Sequence, residues 1–247
     1  LEFRLRPREG TLITGYSGGG KTTMIRHLIV WLALVHDLKI FVGSYEDKAT
    51  LYLAKCISVA FGTWLKNLTP EQKQQARDRL LCNIIVHHVE GTVKLDQFID
   101  AATFAAGKYG VYLAVLDNIT CSDVKLDDKD ACEIAAKKMM HFWKSTGVHL
   151  LTIFHPRKPD KNKENGAPGK HDIRGPVVFS DLFGNMLAVH RNDDDTTSVE
   201  VGKQREGGSM RSLSVLFDPG SQQFMLDGES PRNYFDAQNE EDEGPPP

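Results

Sequence analysis

The sequence predicts an α/β domain in which a mostly parallel sheet is flanked by helices on both faces. Short buried strand patterns alternate with longer amphipathic helix patterns through the first 154 residues, which is typical of parallel β-α-β units. Beyond residue 185, three runs of alternating hydrophobicity follow one another, which predicts an antiparallel extension of the same sheet. A chain of 247 residues with 40% hydrophobic content can bury one large core.

Each predicted element rests on a local pattern. Thr69, Pro70 and Gln72 combine a hydroxyl N-cap, a proline at the first helical position and a glutamine at the third, which predicts a helix start. The segment 192–195, Asn-Asp-Asp-Asp, predicts a turn between two late strands. The predicted strands span 11–14, 40–44, 84–89, 112–116, 148–154, 186–191, 198–203 and 212–217. The predicted helices span 24–35, 48–62, 70–81, 95–109 and 130–145.

A glycine-rich segment joins the first predicted strand to the first predicted helix. Residues 15–22, Gly-Tyr-Ser-Gly-Gly-Gly-Lys-Thr, match the phosphate-loop pattern G-x-x-x-x-G-K-[ST] at every fixed position. Glycines let backbone N–H groups curl around phosphates, and the helix N-terminus that follows favours an anion. A simple connecting turn is the alternative, which the lysine, hydroxyl, strand and helix together disfavour. The residues expected to bind nucleotide here are Gly15, Ser17, Gly18, Gly19, Gly20, Lys21, Thr22 and Thr23.

Hydrolysis of a nucleoside triphosphate needs a metal-associated carboxylate and a base at the ends of neighbouring strands. Lys21 is expected to reach the β/γ-phosphates, and Thr22 to ligate Mg²⁺. Asp117 closes one buried strand pattern and Glu46 follows another, so both are candidates, although acids at strand-to-helix junctions also serve as helix caps. His155 follows the strand at 148–154, where a polar side chain would face the γ-phosphate.

Two charged segments have no apolar period. The segment 156–170 carries five lysines and arginines against two acids, a local charge of +3, and predicts a flexible basic loop. The segment 227–247 is strongly acidic and ends in three prolines, so we expect a disordered tail after a single domain at 1–226.

Bulk properties limit the choice of partners and compartment. The net charge of −3 excludes a global basic field, so any nucleic-acid contact must come from a local patch. Four scattered cysteines without a C-x-x-C pair argue against a disulfide framework or a zinc knuckle and favour a reducing, intracellular setting. The longest apolar run is too short to cross a bilayer and no signal peptide opens the sequence, so no membrane association is expected. An intracellular, non-secreted location is therefore expected.

Late motifs add a family resemblance. The segment 172–175, Asp-Ile-Arg-Gly, is followed by 187–192, Leu-Ala-Val-His-Arg-Asn, and by 203–205, Lys-Gln-Arg. With the phosphate loop, Glu46 and Asp117, these segments resemble the hexameric replicative DNA helicases with a RecA-type core, in particular the phage primase-helicase, Twinkle and DnaB branches. The resemblance covers about residues 10–217 and implies a RecA-like fold. It also implies a location in bacterial or phage-infected cytoplasm, with a mitochondrial nucleoid as the alternative.

The resemblance implies a role for each matching residue. Glu46 would be the catalytic base, Asp117 the Walker B acid that holds Mg²⁺, and His155 the γ-phosphate sensor. Arg205 would be an arginine finger that reaches the neighbouring subunit's site, with Lys203 beside it. Such a finger can raise the rate of hydrolysis by about 10³- to 10⁵-fold. The remaining implied nucleotide contacts are Arg191 and Phe217, which would sandwich the base.

The resemblance also implies contacts to DNA. In the family, the loop after the sensor lines the central channel and follows one DNA strand. Its basic positions match Arg157, Lys161 and Lys163, and Arg174 is a further candidate DNA contact. Such phosphate contacts give affinity without sequence specificity and weaken with salt. The acidic tail resembles a polymerase-recruiting tail and is a candidate site for a replication partner. Asp181 departs from the family pattern and is given no role, and no primase zinc motif is present.

Together these features predict a ring-forming helicase motor that uses ATP or another NTP or dNTP with Mg²⁺, translocates on single-stranded DNA and unwinds duplex. Two rivals remain at this stage. One is a RecA-like recombinase or accessory DNA-dependent ATPase, and the other is a nucleotide-dependent switch whose slow hydrolysis is indifferent to DNA.

Overall fold

The computed structural model describes residues 3–89, 91–156, 177–205 and 212–236. In these ranges nine strands form one sheet with the order β3-β2-β4-β5-β1-β6-β7-β8-β9. The first six strands in sequence pair in parallel, and β6 to β9 pair antiparallel. The strands are β1 (Gly10–Thr14), β2 (Ile40–Ser44), β3 (Ile84–His87), β4 (Leu113–Asp117), β5 (His149–Phe154), β6 (Asn185–Arg191), β7 (Thr196–Gln204), β8 (Ser212–Asp218) and β9 (Gln223–Met225).

Six α-helices in the described ranges cover the two faces of the sheet. One core layer packs beneath the first three helices and the other beneath the last three. Three sandwiched layers therefore result, as the alternation of strand and helix patterns predicts. The helices are α1 (Lys21–Leu34), α2 (Ala49–Phe61), α3 (Pro70–Asn83), α4 (Leu95–Tyr109), α5 (Lys129–Thr146) and α6 (Val178–Leu182).

The parallel register brings several strand ends to one edge of the sheet. Ser44 lies opposite Asp117 where β2 and β4 end, and Thr14 lies opposite Phe154 where β1 and β5 end. The loops that leave these four strands therefore meet at a common edge, which we call the catalytic edge. Open parallel sheets bind their ligands at such an edge.

The fold class and most elements are confirmed. The capping box at the start of α3 forms as expected, because Gln72 N donates to the Thr69 hydroxyl over 3.2 Å and Thr69 N donates to the Gln72 side chain over 2.9 Å. Strand β3 ends at His87, two residues before its predicted end. Two short elements, α6 and β9, were not predicted.

The predicted boundary of the tail is wrong, because the chain continues to pack beyond residue 227. Tyr234 is only 6% exposed, its backbone N–H donates to Ala60 O over 2.9 Å, and its hydroxyl lies 2.5 Å from His27 Nε2. Phe235 packs on Phe61. Aromatic residues inside an acidic segment thus extend the folded part of the domain to residue 236, and residues 237–247 lie outside the described ranges.

All four cysteines are free. Among the described residues, no helix has both the length and the apolar character that a membrane crossing requires.

Candidate active site

The phosphate loop has the backbone geometry that its glycines allow. A Cβ at Gly15 would lie 2.1 Å from Val189 O, so the loop passes too close to β6 for any side chain at this position. Gly20, the N-cap of α1, has φ of 89°, a left-handed conformation that side chains rarely adopt. These two positions fix where the loop leaves β1 and where α1 begins.

Lys21 is folded back onto its own loop. Its Nζ donates to Gly15 O over 2.7 Å and to Tyr16 O over 2.9 Å. Burial lowers the pKa of this amine, while the nearby carboxylates of Glu46 and Asp117 raise it. The ammonium group is therefore partly desolvated, which strengthens its interaction with an anion that enters the loop.

Asp117 is buried at the end of β4. The Thr22 hydroxyl donates to Asp117 Oδ1 over 3.3 Å, which links the start of α1 to the neighbouring strand. Burial raises the pKa of this carboxyl to about 7, although the Thr22 hydrogen bond lowers it. A carboxylate that is buried with few hydrogen-bond donors is well suited to bind a cation, because the cation would offset the cost of burying its charge.

Glu46, Asn118 and His155 form a hydrogen-bonded group beside Asp117. Asn118 Nδ2 donates to Glu46 Oε1 and lies 3.1 Å from His155 Nε2. His155 Nε2 also lies 3.4 Å from Glu46 Oε1. One buried amide therefore touches both the predicted base and the predicted sensor.

The direction of these hydrogen bonds follows from Thr120. Its backbone N–H can only donate, and it donates to Asn118 Oδ1 over 2.9 Å. The other end of the amide must then be the donor, so Asn118 Nδ2 donates to Glu46 Oε1 and faces His155 Nε2 as a donor. In this arrangement the amide orients both the carboxylate and the imidazole.

A cavity of about 280 Å³ brings the predicted groups of the catalytic edge together. Its wall includes Glu46 and His155 and reaches Ile153 of β5. Gly15 and Gly19 belong to the same loop. The other lining residues are Ser17, Gly18, Gly20, Lys21, Thr22, Thr23, Asp117 and Asn118.

Arg205 and Lys203 lie at the opposite edge of the sheet. Because β7 runs antiparallel to β6, Gln204 pairs with Asn185 at the start of β6, about 20 Å from the end of that seven-residue strand. Arg205 Nη2 donates to Asp181 O over 2.9 Å, and Lys203 Nζ donates to Ser180 O over 2.7 Å. Neither cation lines the phosphate cavity of its own chain.

Arg191 and Phe217, the predicted base contacts, lie near the catalytic edge but not in the wall of the cavity. Arg191 ends β6 and pairs with Asp195 over 2.7 Å. Phe217 packs on Phe224 with ring centroids 5.0 Å apart, and a Cβ on Gly20 would meet Phe224 at 3.2 Å. Strand register places Arg191 and Phe217 on one face of the sheet, beside the phosphate loop. The four predicted DNA contacts, Arg157, Lys161, Lys163 and Arg174, lie outside the described residues.

Comparisons with solved structures agree with the fold. The structure superposes on a solved structure described as an ATPase domain with a TM-score of 0.77, covering 90% of this chain and 85% of that one at 13% identity. A structure described as a DnaB-like replicative helicase and its interactions with primase gives the same TM-score and identity, with 90% of this chain and 58% of that chain covered. The chain has the fold of a DnaB-like helicase ATPase domain. The RecA-like fold implied by the resemblance is thus confirmed.

A curated relative is found at the level of sequence. The chain is 22% identical over 203 residues to a DNA helicase/primase of Enterobacteria phage T3. The match covers 76% of this chain and only 36% of that protein. No protein-family model matches the chain.

Sequence reasoning missed Asn118 as a site residue. A signal was present, because Asn118 directly follows Asp117 at the end of a buried strand. Its role depends on the side chains that two other strands bring to it, and spacing along the chain does not reveal those neighbours.

Proposed function

We propose that this chain is the motor domain of a replicative DNA helicase, which hydrolyses a nucleoside triphosphate to move along single-stranded DNA and separate the duplex. The observation that carries the proposal is the convergence of the phosphate loop, Asp117, Glu46 and His155 on one cavity in a DnaB-like fold. Because the chain spans 36% of its phage relative, activities located in the rest of such a protein are not assigned to it.

Within this proposal, Glu46 is the base that orients and deprotonates the attacking water. Its carboxylate faces the cavity and is oriented by Asn118. A base positioned in this way raises the rate of the chemical step by about 10²- to 10⁴-fold. Lys21 leaves the carbonyl oxygens of its loop for the phosphates, and His155 reports the presence of the γ-phosphate through the shared amide.

The residues present fit a Mg²⁺ ion. Thr22 and Asp117 would hold it, and the Asp117 carboxylate is buried with a raised pKa and one hydroxyl donor. Ser44, the register partner of Asp117, has a buried hydroxyl without a hydrogen-bond partner among the described residues. When bound, Mg²⁺ would neutralise charge on the phosphate oxygens.

The opposite edge supports a ring or filament of subunits. Since Arg205 and Lys203 lie at the edge of the sheet opposite their own cavity, we propose that they act on the site of an adjacent copy. We propose a hexamer, with Arg205 stabilising charge that develops on the neighbour's phosphates. Arg157, Lys161, Lys163 and Arg174 would contact the DNA strand.

The proposal is tested by hydrolysis with and without single-stranded DNA. We expect DNA to stimulate turnover several-fold and a forked duplex to be unwound without strand exchange. Replacing Lys161 and Lys163 by alanine should remove the stimulation and lower the salt slope of DNA binding by about 1 to 2. The matched control replaces two exposed lysines of α5, Lys137 and Lys138. Turnover indifferent to DNA would contradict the motor, and strand exchange without unwinding would favour a recombinase.

A further inference from the structure

A buried arginine lies one helical turn beyond the phosphate loop and has no role in the chemistry described above. Arg26 is only 1% exposed and lies on α1, four residues after Thr22. Residues four apart share a helix face. Thr22 points to Asp117, and Arg26 points to Asp47, the residue that follows Glu46.

The arginine is held by one carboxylate and one ring. Arg26 Nη2 donates to Asp47 Oδ2 over 2.9 Å, and its guanidinium carbon lies 5.1 Å from the centroid of the Tyr52 ring. Its Nε and Nη1 have no hydrogen-bond partner among the described residues. Burying a charge with so few partners is unfavourable, so this ion pair should add little to the stability of the fold. A role in positioning its partner explains the arginine better.

The partner carboxylate fixes the loop that carries Glu46. Asp47 Oδ2 also accepts from Lys55 Nζ over 3.0 Å, so a buried cation and a half-exposed one hold the same oxygen. On the other side of Glu46, Tyr45 N donates to Asp117 O over 2.9 Å. Glu46 is therefore held between two fixed neighbours, although nearly half of its own side chain is exposed.

We propose that Arg26 is a positioning residue, which uses Asp47 to set the distance between the Glu46 carboxylate and the phosphates held by the start of α1. This inference rests on the proposed function. The same helix holds the phosphate-binding residues Lys21 and Thr22 at its first turn and the Glu46 loop at its second. A shift of the loop relative to α1 would therefore change hydrolysis without changing how the phosphates bind.

The test is Arg26→Met, with Arg26→Lys as the conservative variant. The remaining Asp47 charge is one-fifth exposed and keeps Lys55, so the folded state should tolerate the loss, and we expect a Tm within about 4 °C of wild type. We expect kcat to fall about 10- to 100-fold, since a displacement of about 1 Å can have an effect of this size. KM and the affinity for a non-hydrolysable triphosphate should stay within about twofold, and Arg26→Lys should recover part of kcat.

The matched control is Arg79→Met, which removes an exposed arginine of α3 from its ion pair with Asp37 and should leave kcat unchanged. In a Glu46→Gln background, Arg26→Met should cause no further loss of single-turnover rate. A lower Tm with normal kcat in the folded protein, or an equal loss in the Glu46→Gln background, would overturn the inference. If Glu46→Gln itself hydrolyses at the wild-type rate, the proposed function fails instead, so the two failures are distinguishable.

Discussion

The parallel and antiparallel halves of the sheet deliver their functional side chains to opposite edges. In the parallel half, Glu46 and His155 follow β2 and β5, Asp117 ends β4, and all three face one cavity. In the antiparallel half, β7 returns against β6 and carries Lys203 and Arg205 to the far edge.

This difference teaches how strand direction decides which site a residue can serve. Parallel strands place every loop that follows them at one edge, so a single chain can assemble the phosphate loop and the residues predicted to be base, metal carboxylate and sensor. A reversal of direction carries Lys203 and Arg205 to the opposite edge, away from that cavity. Within the proposed function, one subunit supplies most of a site and its neighbour completes it.

The largest effect is expected from a substitution at the opposite edge of the sheet alone. Arg205→Ala should lower hydrolysis about 10³-fold or more in the assembled protein, because the developing charge loses its cation. Nucleotide affinity of isolated subunits should be unchanged, since their phosphate loops are intact. Steady-state turnover and equilibrium binding measure the two quantities, and Arg79→Ala, which removes another arginine from an exposed ion pair, is the control. Normal turnover by Arg205→Ala would show that the opposite edge does not contribute to hydrolysis.

A smaller effect is expected at the catalytic edge from Asn118→Ala. Glu46 and His155 would lose the amide that orients both, so kcat should fall about tenfold with KM nearly unchanged. Because one amide serves both groups, the losses from Asn118→Ala and His155→Ala should not add in the double variant. The control is Asn67→Ala, at an exposed amide whose side chain contacts Thr63. Full additivity would show that Asn118 does not connect the base with the sensor.

Sequence patterns were informative wherever the structure is local. The phosphate loop, the capping box at Thr69 and the alternation of strands and helices all depend on neighbours within a few residues, and each is found. The cavity was predictable because parallel strand ends meet at one edge. Asn118 and Arg26 were missed because their partners lie 37 or more and 21 positions away. The burial of Tyr234 was missed because the acidic composition of the surrounding segment predicts a disordered tail.

The smallest expected effect concerns stability at the non-catalytic edge of the parallel half. Burial lowers the pKa of His149, at the start of β5, to about 4, and its ring is satisfied by Arg6 O and the Thr11 hydroxyl. Since the folded value is below the unfolded value of about 6.5, this group stabilises the fold above pH 6.5 and loses that contribution as pH falls towards 4.

Between pH 7 and pH 5, His149 should account for on the order of 2 kcal/mol of the lost free energy of unfolding. His149→Gln should therefore show a shallower pH dependence in urea unfolding, whereas His141→Gln, at an exposed position of α5, should match wild type. Parallel pH profiles for all three proteins would contradict this assignment.

The most direct test of the account mixes two inactive proteins. Glu46→Gln lacks the base but keeps the far-edge arginine, and Arg205→Ala lacks the arginine but keeps the base. In mixed assemblies some sites combine an intact Glu46 with an intact Arg205 from the adjacent subunit, so we predict recovered, DNA-stimulated hydrolysis that depends on the mixing ratio. No recovery at any ratio, in assemblies shown to exchange subunits, would contradict a site shared between neighbours.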